Sequence, residues 1–271
     1  MNYLNDFYQR MVNLRRSPNT IESYRVSLEH FFGDGLDFTP EHIESRIAAL
    51  SHLSTNSLKV RLAAVTSFLE FVHRKEPLEH LEELLDICRG IKGETKVTTA
   101  LSKEQVDIIM GTLDNLRDKA LVKLLYTSGI RVSELTNLRL DDLKENYIIV
   151  RKPKNYKDRT VYLPKCTLSL LRDYIHTFQP KDYLFVGRRS DCVHINRNTV
   201  ESMMADLSTK VGFRVHPHAL RRYYATTQAK AGVPVGVLQQ NLGHSSAIMS
   251  IRYTSFLMED QEKSAGVFEE E

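Results

Sequence analysis

Apolar side chains recur at helical spacing through the first ninety residues. They stand three and four apart in SPNTIESYRVSLEHFF, and the same period runs through SLKVRLAAVTSFLEFVHR. Such a stripe is typical of amphipathic helices that bury one face. The positions that carry it are Ile21, Tyr24, Leu28, Phe31, Phe32, Leu58, Leu62, Val65, Leu69 and Phe71. With Ser17 or Asn19 as an N-cap beside Pro18, the pattern predicts a domain of four or five helices over residues 1–90.

A polar stretch interrupts the helical period after this domain. GIKGETKVTTALSKEQ has two glycines, three threonines and no apolar repeat, which predicts a linker over residues 91–100. Ser102 and Gln105 have the spacing of a capping box at a helix start. We therefore predict a second domain over residues 101–271.

The second domain has one stretch with the pattern of strands, set among helices. Tyr147 to Val150 and Thr160 to Leu163 are rich in β-branched and aromatic residues, with a polar, basic stretch between them. Helical patterns surround this predicted hairpin, and the helix before it is expected to end near Gly129. They are LRDKALVKLLYTSGI, VSELTNLRLDDL, CTLSLLRDYIHTF, NTVESMMADLSTKVG, HALRRYYATTQAKAG, PVGVLQQNLG and SAIMSIRYTSFL. The predicted fold is mostly α with a small β-hairpin.

Charge is divided unevenly along the chain. Residues 1–92 hold 11 Lys and Arg against 13 Asp and Glu, residues 93–258 hold 25 against 15, and residues 259–271 hold 1 against 6. The balances are −2, +10 and −5. A basic middle segment fits a polyanionic partner such as DNA, because Lys and Arg release counterions from phosphates. On charge alone it fits a solvated basic surface equally well.

Composition excludes several other classes. Apolar content of 42% and charged content of 26% are ordinary for a globular protein, and no apolar run approaches membrane-spanning length. We expect a cytoplasmic protein. Cys88, Cys166 and Cys192 stand far apart, which argues against a disulfide framework or a thiolate zinc site.

Five local patterns in the second half carry candidate chemistry. They are Arg131 with Glu134, Lys154 at the hairpin tip, His218 with Arg221, His244 and Tyr253. Taken singly, each is more often structural: the first pair resembles a surface salt bridge and Lys154 a solvated lysine. His216 and His218 form an HxH pair, but it has no nearby third ligand, so a metal-dependent nuclease is disfavoured.

The order of these types resembles the tyrosine recombinases, also called the phage integrase family, and the Xer-type members in particular. The resemblance rests on SPNTIESY, TSGIRVSELTNL, the basic hairpin, HPHALRRYYATTQAKAG and LGHSSAIMSIRY. It covers nearly the whole chain. It implies a two-domain DNA clamp, with an N-terminal helical core-binding (SAM-like) domain and a C-terminal catalytic domain.

The resemblance also implies a role for each candidate. Arg131 and Arg221 would be the catalytic arginines, His218 and His244 the histidines, and Tyr253 the nucleophile. Lys154 would be the hairpin lysine, and Glu134 would support the site. Lys59, Arg61, Lys157, Arg159 and Arg222 are the expected DNA contacts.

The sequence departs from the family pattern in two ways. Pro153 and Asn155 flank Lys154 where the family usually has glycines, so Lys157 is a rival to Lys154 as the general acid. Arg222 stands where many members have a histidine, and a changed packing or phosphate contact is expected there.

The implied chemistry is metal-independent and needs no cofactor. Two guanidinium groups bind the nonbridging oxygens of a phosphate bidentately and stay charged at any working pH. Tyrosine is a weak nucleophile as the neutral phenol, so neighbouring histidines must help it lose its proton. A lysine returns a proton to the leaving 5′-hydroxyl. The covalent 3′-phosphotyrosine conserves the bond energy, which makes strand cleavage reversible.

The partners implied by the resemblance are two double-stranded DNA recombination sites. We expect a monomer in solution and a homotetramer assembled on two duplexes, most simply for Xer-like resolution of chromosome dimers. The alternatives are a mobile-element integrase, a type IB topoisomerase that rejoins the same strand, and a non-catalytic DNA-binding relative.

Overall fold

The computed structural model describes residues 3–33, 35–91, 100–151, 158–187 and 190–243, with the backbone alone at 190–193. The chain divides into two compact units, Met1–Val97 and Thr98–Glu271. The predicted linker at 91–100 lies almost wholly outside the described residues. Within them, no helix is long and apolar enough to cross a membrane.

Five helices form the described part of the first unit, as the apolar period predicts. They are α1 (Tyr3–Asn13), α2 (Pro18–Phe32), α3 (Pro40–Ala49), α4 (Thr55–Lys75) and α5 (Leu81–Arg89). The hydroxyls of Ser17, Thr39 and Ser54 cap α2, α3 and α4, and a proline follows the first two caps. Leu28, Phe31 and Phe68 are fully buried in the core between these helices.

The second unit is helical around two small antiparallel hairpins. Its helices are α6 (Lys103–Thr112), α7 (Leu116–Ser128), α8 (Val132–Thr136), α9 (Lys165–Phe178), α10 (Arg197–Val211), α11 (Pro217–Lys230) and α12 (Val235–Leu242). Its strands are β1 (Tyr147–Val150), β2 (Arg159–Tyr162), β3 (Val186–Gly187) and β4 (Ser190–His194). β1 pairs with β2 in the register Tyr147 to Tyr162, and β3 pairs with β4.

Several local predictions are confirmed in this unit. The Ser102 hydroxyl and the Gln105 side chain form the reciprocal capping box, and α7 ends at Gly129, which has a left-handed backbone. Strands β1 and β2 lie within one residue of the predicted limits.

The structure differs from the predicted local structure at two places in the second unit. The second hairpin was not predicted, because only two residues form β3 and the apolar pattern there is too short to show alternation. The single helix expected in VSELTNLRLDDL is instead a five-residue helix followed by a short 3₁₀ helix, Leu140–Asp142. Asp142 accepts a hydrogen bond from the backbone of Arg139 and starts that second turn separately.

Candidate active site

Arg131 stands where α7 ends and α8 begins. Gly129 has φ +64°, and a Cβ placed on it would lie 2.3 Å from the Tyr224 ring, so this turn accepts only glycine without rearrangement. Two residues later Arg131 occupies the N-cap position of α8. Its side chain is 41% exposed, which leaves part of the guanidinium open to solvent.

Glu134 lies one turn further along α8 and is almost enclosed by arginines. Its carboxylate accepts hydrogen bonds from the Arg131 backbone N–H at 2.7 Å and from Arg131 Nη1 at 3.2 Å. Arg159 donates to both oxygens, Nη1 at 2.8 Å and Nη2 at 2.7 Å. Burial raises the pKa of Glu134, but the hydrogen bonds and charge of Arg159, joined by those of Arg131, outweigh it and hold the pKa below its usual value.

Arg221 reaches the same region from α11. It is 2% exposed; its Nη1 donates to the Gly129 carbonyl, and its Nη2 to the Leu242 carbonyl at 2.6 Å. Arg131 Nη1 lies 3.4 Å from that same Leu242 oxygen, and Arg131 Nη2 donates to the Gly243 carbonyl at 3.2 Å. The two arginines, ninety residues apart, are therefore held on one carbonyl at the end of α12.

His218 lies three residues before Arg221 on α11, and its side chain is exposed toward the pocket. Desolvation lowers the pKa of His218, and the charges of Arg221, Arg222 and Arg131 lower it further. The pKa of His216 is also lowered, first by burial and then by Arg214, His218 and Arg222. Both imidazoles are thus biased toward the neutral form, which accepts a proton.

Arg131, Arg221, His216 and His218 line an open pocket of about 560 Å³. The sequence predicted Arg131, His218 and Arg221 as site residues, and Ile130 and Pro217 also line the pocket. Four arginines and one carboxylate are among its lining residues: Arg131, Arg197, Arg214, Arg221 and Glu201. Concentrated positive charge in a concave site attracts an anion such as a phosphate.

Arg214 and Arg197 were not identified from the sequence. Each is a single arginine without a motif, and only the fold brings it to the pocket. Arg197 pairs with Glu201 at 2.7 Å across one turn of α10, and both side chains remain substantially exposed.

Arg159 is not placed where a DNA contact was predicted. The residue is 6% exposed, and its guanidinium is used within the protein by Glu134 and by the Asn241 carbonyl. At the start of β2, the Arg159 side chain therefore lies inside the protein, against Glu134 and the end of α12.

The other predicted DNA contacts lie in varied settings. Lys59 is exposed on α4, whereas Arg61 is half-buried, and its Nη1 is shielded from solvent without a hydrogen-bond partner in the described part of the chain. Arg222 is half-buried on α11. The remaining predicted site residues lie outside the described residues: Lys154, Lys157, His244 and Tyr253.

No group of three or more His, Cys, Asp or Glu suited to a metal ion occurs in the described residues. The groups that line the pocket are chiefly cationic donors, which suit an anion rather than a metal cation.

Comparison with known proteins defines the class to which this site belongs. Residues 99–259 match the model of the phage integrase family. Since the match covers more than half of the chain, the protein belongs to the phage integrase family. It is a tyrosine recombinase, an enzyme that cleaves and rejoins DNA through a tyrosine nucleophile.

Particular relatives narrow the resemblance to the Xer type. The chain is 33% identical over 245 residues to tyrosine recombinase XerA of Pyrococcus horikoshii, covering 88% of this chain and 84% of the relative. The crystal structure of a XerA recombinase is similar with a TM-score of 0.56 and 28% identity, covering 98% and 96% of the two chains. The Tn1549 transposon integrase, solved in complex with a circular intermediate DNA, shares the fold with a TM-score of 0.81 at 15% identity, covering 97% and 98%.

Proposed function

We propose that the arginine-lined pocket binds the phosphate at which this recombinase cuts DNA. The observation that carries the proposal is the convergence of Arg131 and Arg221 on the Leu242 carbonyl, with His218 facing the same pocket. Two guanidinium forks fixed in this way stabilise charge that develops on the nonbridging oxygens.

The reaction then proceeds by transfer of the phosphoryl group to tyrosine. The Tyr253 phenolic oxygen attacks phosphorus, the bond to the 5′-oxygen breaks, and a 3′-phosphotyrosine forms. The phenolic proton passes to a neutral imidazole, His218 or His244, and Lys154 or its rival Lys157 gives a proton to the leaving 5′-oxygen. Attack by a second 5′-hydroxyl reverses these steps and exchanges the strands.

The neutral bias of His218 supports its part in this scheme. A protonated imidazole between arginines would have no lone pair for the phenolic proton, whereas the lowered pKa of His218 keeps one available near neutral pH. Partial desolvation of His218, followed by the charges of Arg221, Arg222 and Arg131, thus favours the neutral form that acts as the base.

Double-stranded recombination sites are the proposed partner, with both units contacting DNA. The Tn1549 integrase, which shares the fold, was solved with DNA, and the +10 balance of residues 93–258 supports the same partner. Strand exchange between two duplexes requires four protomers, so we infer a tetramer on DNA. Similarity to XerA favours resolution of chromosome dimers as the biological task.

Covalent trapping on nicked DNA tests the proposal. A nick close to the cleavage point lets the short cut fragment diffuse away, so a tyrosine-linked product accumulates and its attached ends can be sequenced. Wild-type protein should form this adduct, while Tyr253→Phe should bind the same DNA with nearly unchanged affinity and form none.

Three outcomes would count against parts of the scheme. Persistent adduct with Tyr253→Phe would remove Tyr253 as the nucleophile. Absence of any adduct with the wild type would favour a non-catalytic relative. Adduct formation and relaxation of supercoils without recombinant joints, on a duplex carrying two sites, would favour a type IB topoisomerase.

A further inference from the structure

Arg159 makes a buried set of contacts that joins three elements of the second unit. It lies at the start of β2, its two Nη atoms hold the carboxylate of Glu134 from α8, and its Nε donates to the Asn241 carbonyl in α12 at 2.8 Å. All three nitrogens of the guanidinium are therefore occupied inside the protein.

The last turn of α12 is held by arginines from three directions. Arg159 binds the carbonyl of residue 241, Arg221 that of 242, and Arg131 those of 242 and 243. Carbonyls at a helix C-terminus lack partners in the helix and carry partial negative charge, so guanidinium groups satisfy and stabilise them. The next residue in the sequence after this turn is His244.

Gly243 permits this close approach. It caps α12 with φ +62°, and a Cβ placed on it would lie 2.9 Å from Arg159 Nη1 and 3.0 Å from Arg159 Cζ. Any other residue would push against the guanidinium as well as strain the backbone. The position of the Arg159 guanidinium therefore requires glycine at position 243.

Lysine cannot reproduce these contacts. The planar guanidinium sends two parallel donors to Glu134 and a third in another direction to Asn241, whereas an ammonium is a single point of charge. Because Arg159 is buried, a DNA phosphate cannot reach it without breaking the pair with Glu134.

We propose that Arg159 is a positioning residue for strand cleavage, which orients Arg131 and Arg221. It acts by fixing the end of α12 and the carboxylate of Glu134, which together hold the guanidinium groups of Arg131 and Arg221. This inference rests on the proposed function, because it concerns the rate of the same cleavage step.

Arg159→Lys tests the role while keeping the positive charge beside Glu134. Single-turnover cleavage of nicked DNA at saturating protein should slow by roughly 10²-fold, the scale of an ångström-sized misplacement. The dissociation constant for the same DNA should stay within about twofold, because Arg159 is not a phosphate contact. A cleavage rate within twofold of wild type, or a binding loss that accounts for the whole effect, would overturn the proposal.

A substrate with a better leaving group separates this role from that of the hairpin lysine. A 5′-bridging phosphorothiolate needs no general acid. Arg159→Lys should remain slow on it, since the Arg159 contacts lie at α12 and Glu134. Full rescue would instead assign Arg159 to orienting the hairpin lysine and would refute the α12 role.

Two glycine variants give an independent test with a matched control. Gly243→Ala and Gly212→Ala both place alanine at a left-handed helix end, but nothing lies within 4 Å of a Cβ on Gly212. Gly243→Ala should slow cleavage at saturating protein, and Gly212→Ala should leave the rate within twofold. In the double variant Arg159→Lys, Gly243→Ala, the two rate losses should be less than multiplicative, because both disturb one contact.

The outcomes separate this inference from the proposed function. If wild-type protein forms no covalent adduct, the proposed function fails and the variants have nothing to slow. If the wild type forms the adduct and both Arg159→Lys and Gly243→Ala cleave at its rate, the proposed function stands and the positioning role is wrong.

Discussion

In the proposed scheme Arg131 and Arg221 each have two tasks, because the guanidinium that is oriented by contacts inside the protein is also the group that binds the phosphate. Arg221 shows this most clearly: it is almost fully buried, and two of its nitrogens hold carbonyls of the α7 and α12 ends. A substitution there removes both the charge geometry and the orientation.

We expect Arg221→Lys to lower the single-turnover cleavage rate by about 10²–10³-fold, the range found for loss of one oxyanion donor. The ammonium keeps the charge but cannot span two carbonyls and a phosphate. Arg172→Lys, on the exposed face of α9, provides the control and should cleave at the wild-type rate. Similar rates for the two variants would contradict the assignment of Arg221.

The titration of His218 offers a second test at this scale. In DNA-free protein its NMR midpoint, assigned with His218→Gln, should lie below the ordinary value of 6.5. As pH falls below about 6.5 the unfolded chain binds a proton before the folded one, so the free energy of unfolding falls with it. This decrease in the free energy of unfolding at acid pH should be smaller in His218→Gln. An NMR midpoint of His218 at or above 6.5 would show that the folded protein does not favour the neutral imidazole.

The sequence predicted which described side chains meet at the pocket, but not how they are connected. Arg131, Glu134, His218 and Arg221 were identified because they stand in ordered motifs. Arg159 was expected to contact DNA from the family resemblance. Its inward direction depends on Glu134, which is 25 residues away in the chain, and periodicity carries no information about such a partner.

Element boundaries in this protein follow from caps that the sequence displays. Ser17, Ser54 and Ser102 begin helices through their hydroxyls, and Gly129, Gly212 and Gly243 end them with left-handed backbones. The second hairpin was missed because its two-residue strand has no pattern of its own. It exists through backbone pairing of Val186 with His194 and of Gly187 with Ser190, which the side-chain pattern does not reveal.

Gly129→Ala should be the most damaging of the glycine substitutions at helix ends. The left-handed backbone costs an alanine roughly 1–2 kcal/mol, and the Cβ would collide with the Tyr224 ring at 2.3 Å. We expect the free energy of unfolding in urea to fall by more than about 2 kcal/mol, since overpacking adds to the strain. A Cβ at Gly212 meets no neighbour within 4 Å, so Gly212→Ala should lower the free energy of unfolding only by the cost of the left-handed backbone. Equal losses of unfolding free energy in the two variants would show that the Tyr224 ring moves aside freely.

At the scale of the whole molecule, the two units differ in net charge: residues 1–92 have a balance of −2 and residues 93–258 a balance of +10. The first unit is slightly acidic, so the DNA contacts that we propose for it must come from a few local cations such as Lys59 on α4. The predicted fold class agrees with the structure throughout the described residues, because helical period and capping dominate both units.

Lys59→Gln should reduce the salt dependence of DNA binding. Each phosphate contact contributes about 0.9 to the slope of log K against log salt, and affinity at low salt should fall accordingly. Lys75→Gln on the same helix is the control, because Lys75 already pairs with Asp6 within the protein. Binding isotherms at several salt concentrations would measure both slopes; identical slopes for Lys59→Gln and wild type would remove Lys59 from the interface.

The crowding of four arginines around one pocket has a practical consequence for anyone who handles this protein. Such a site does not distinguish the phosphate of DNA from inorganic sulfate or phosphate in a buffer, which carry the same oxygens on a smaller frame. Those ions should raise the melting temperature by mass action and compete with substrate in the same concentration range. We therefore expect sulfate and phosphate in a buffer to inhibit DNA cleavage by this recombinase and also to stabilise its folded state.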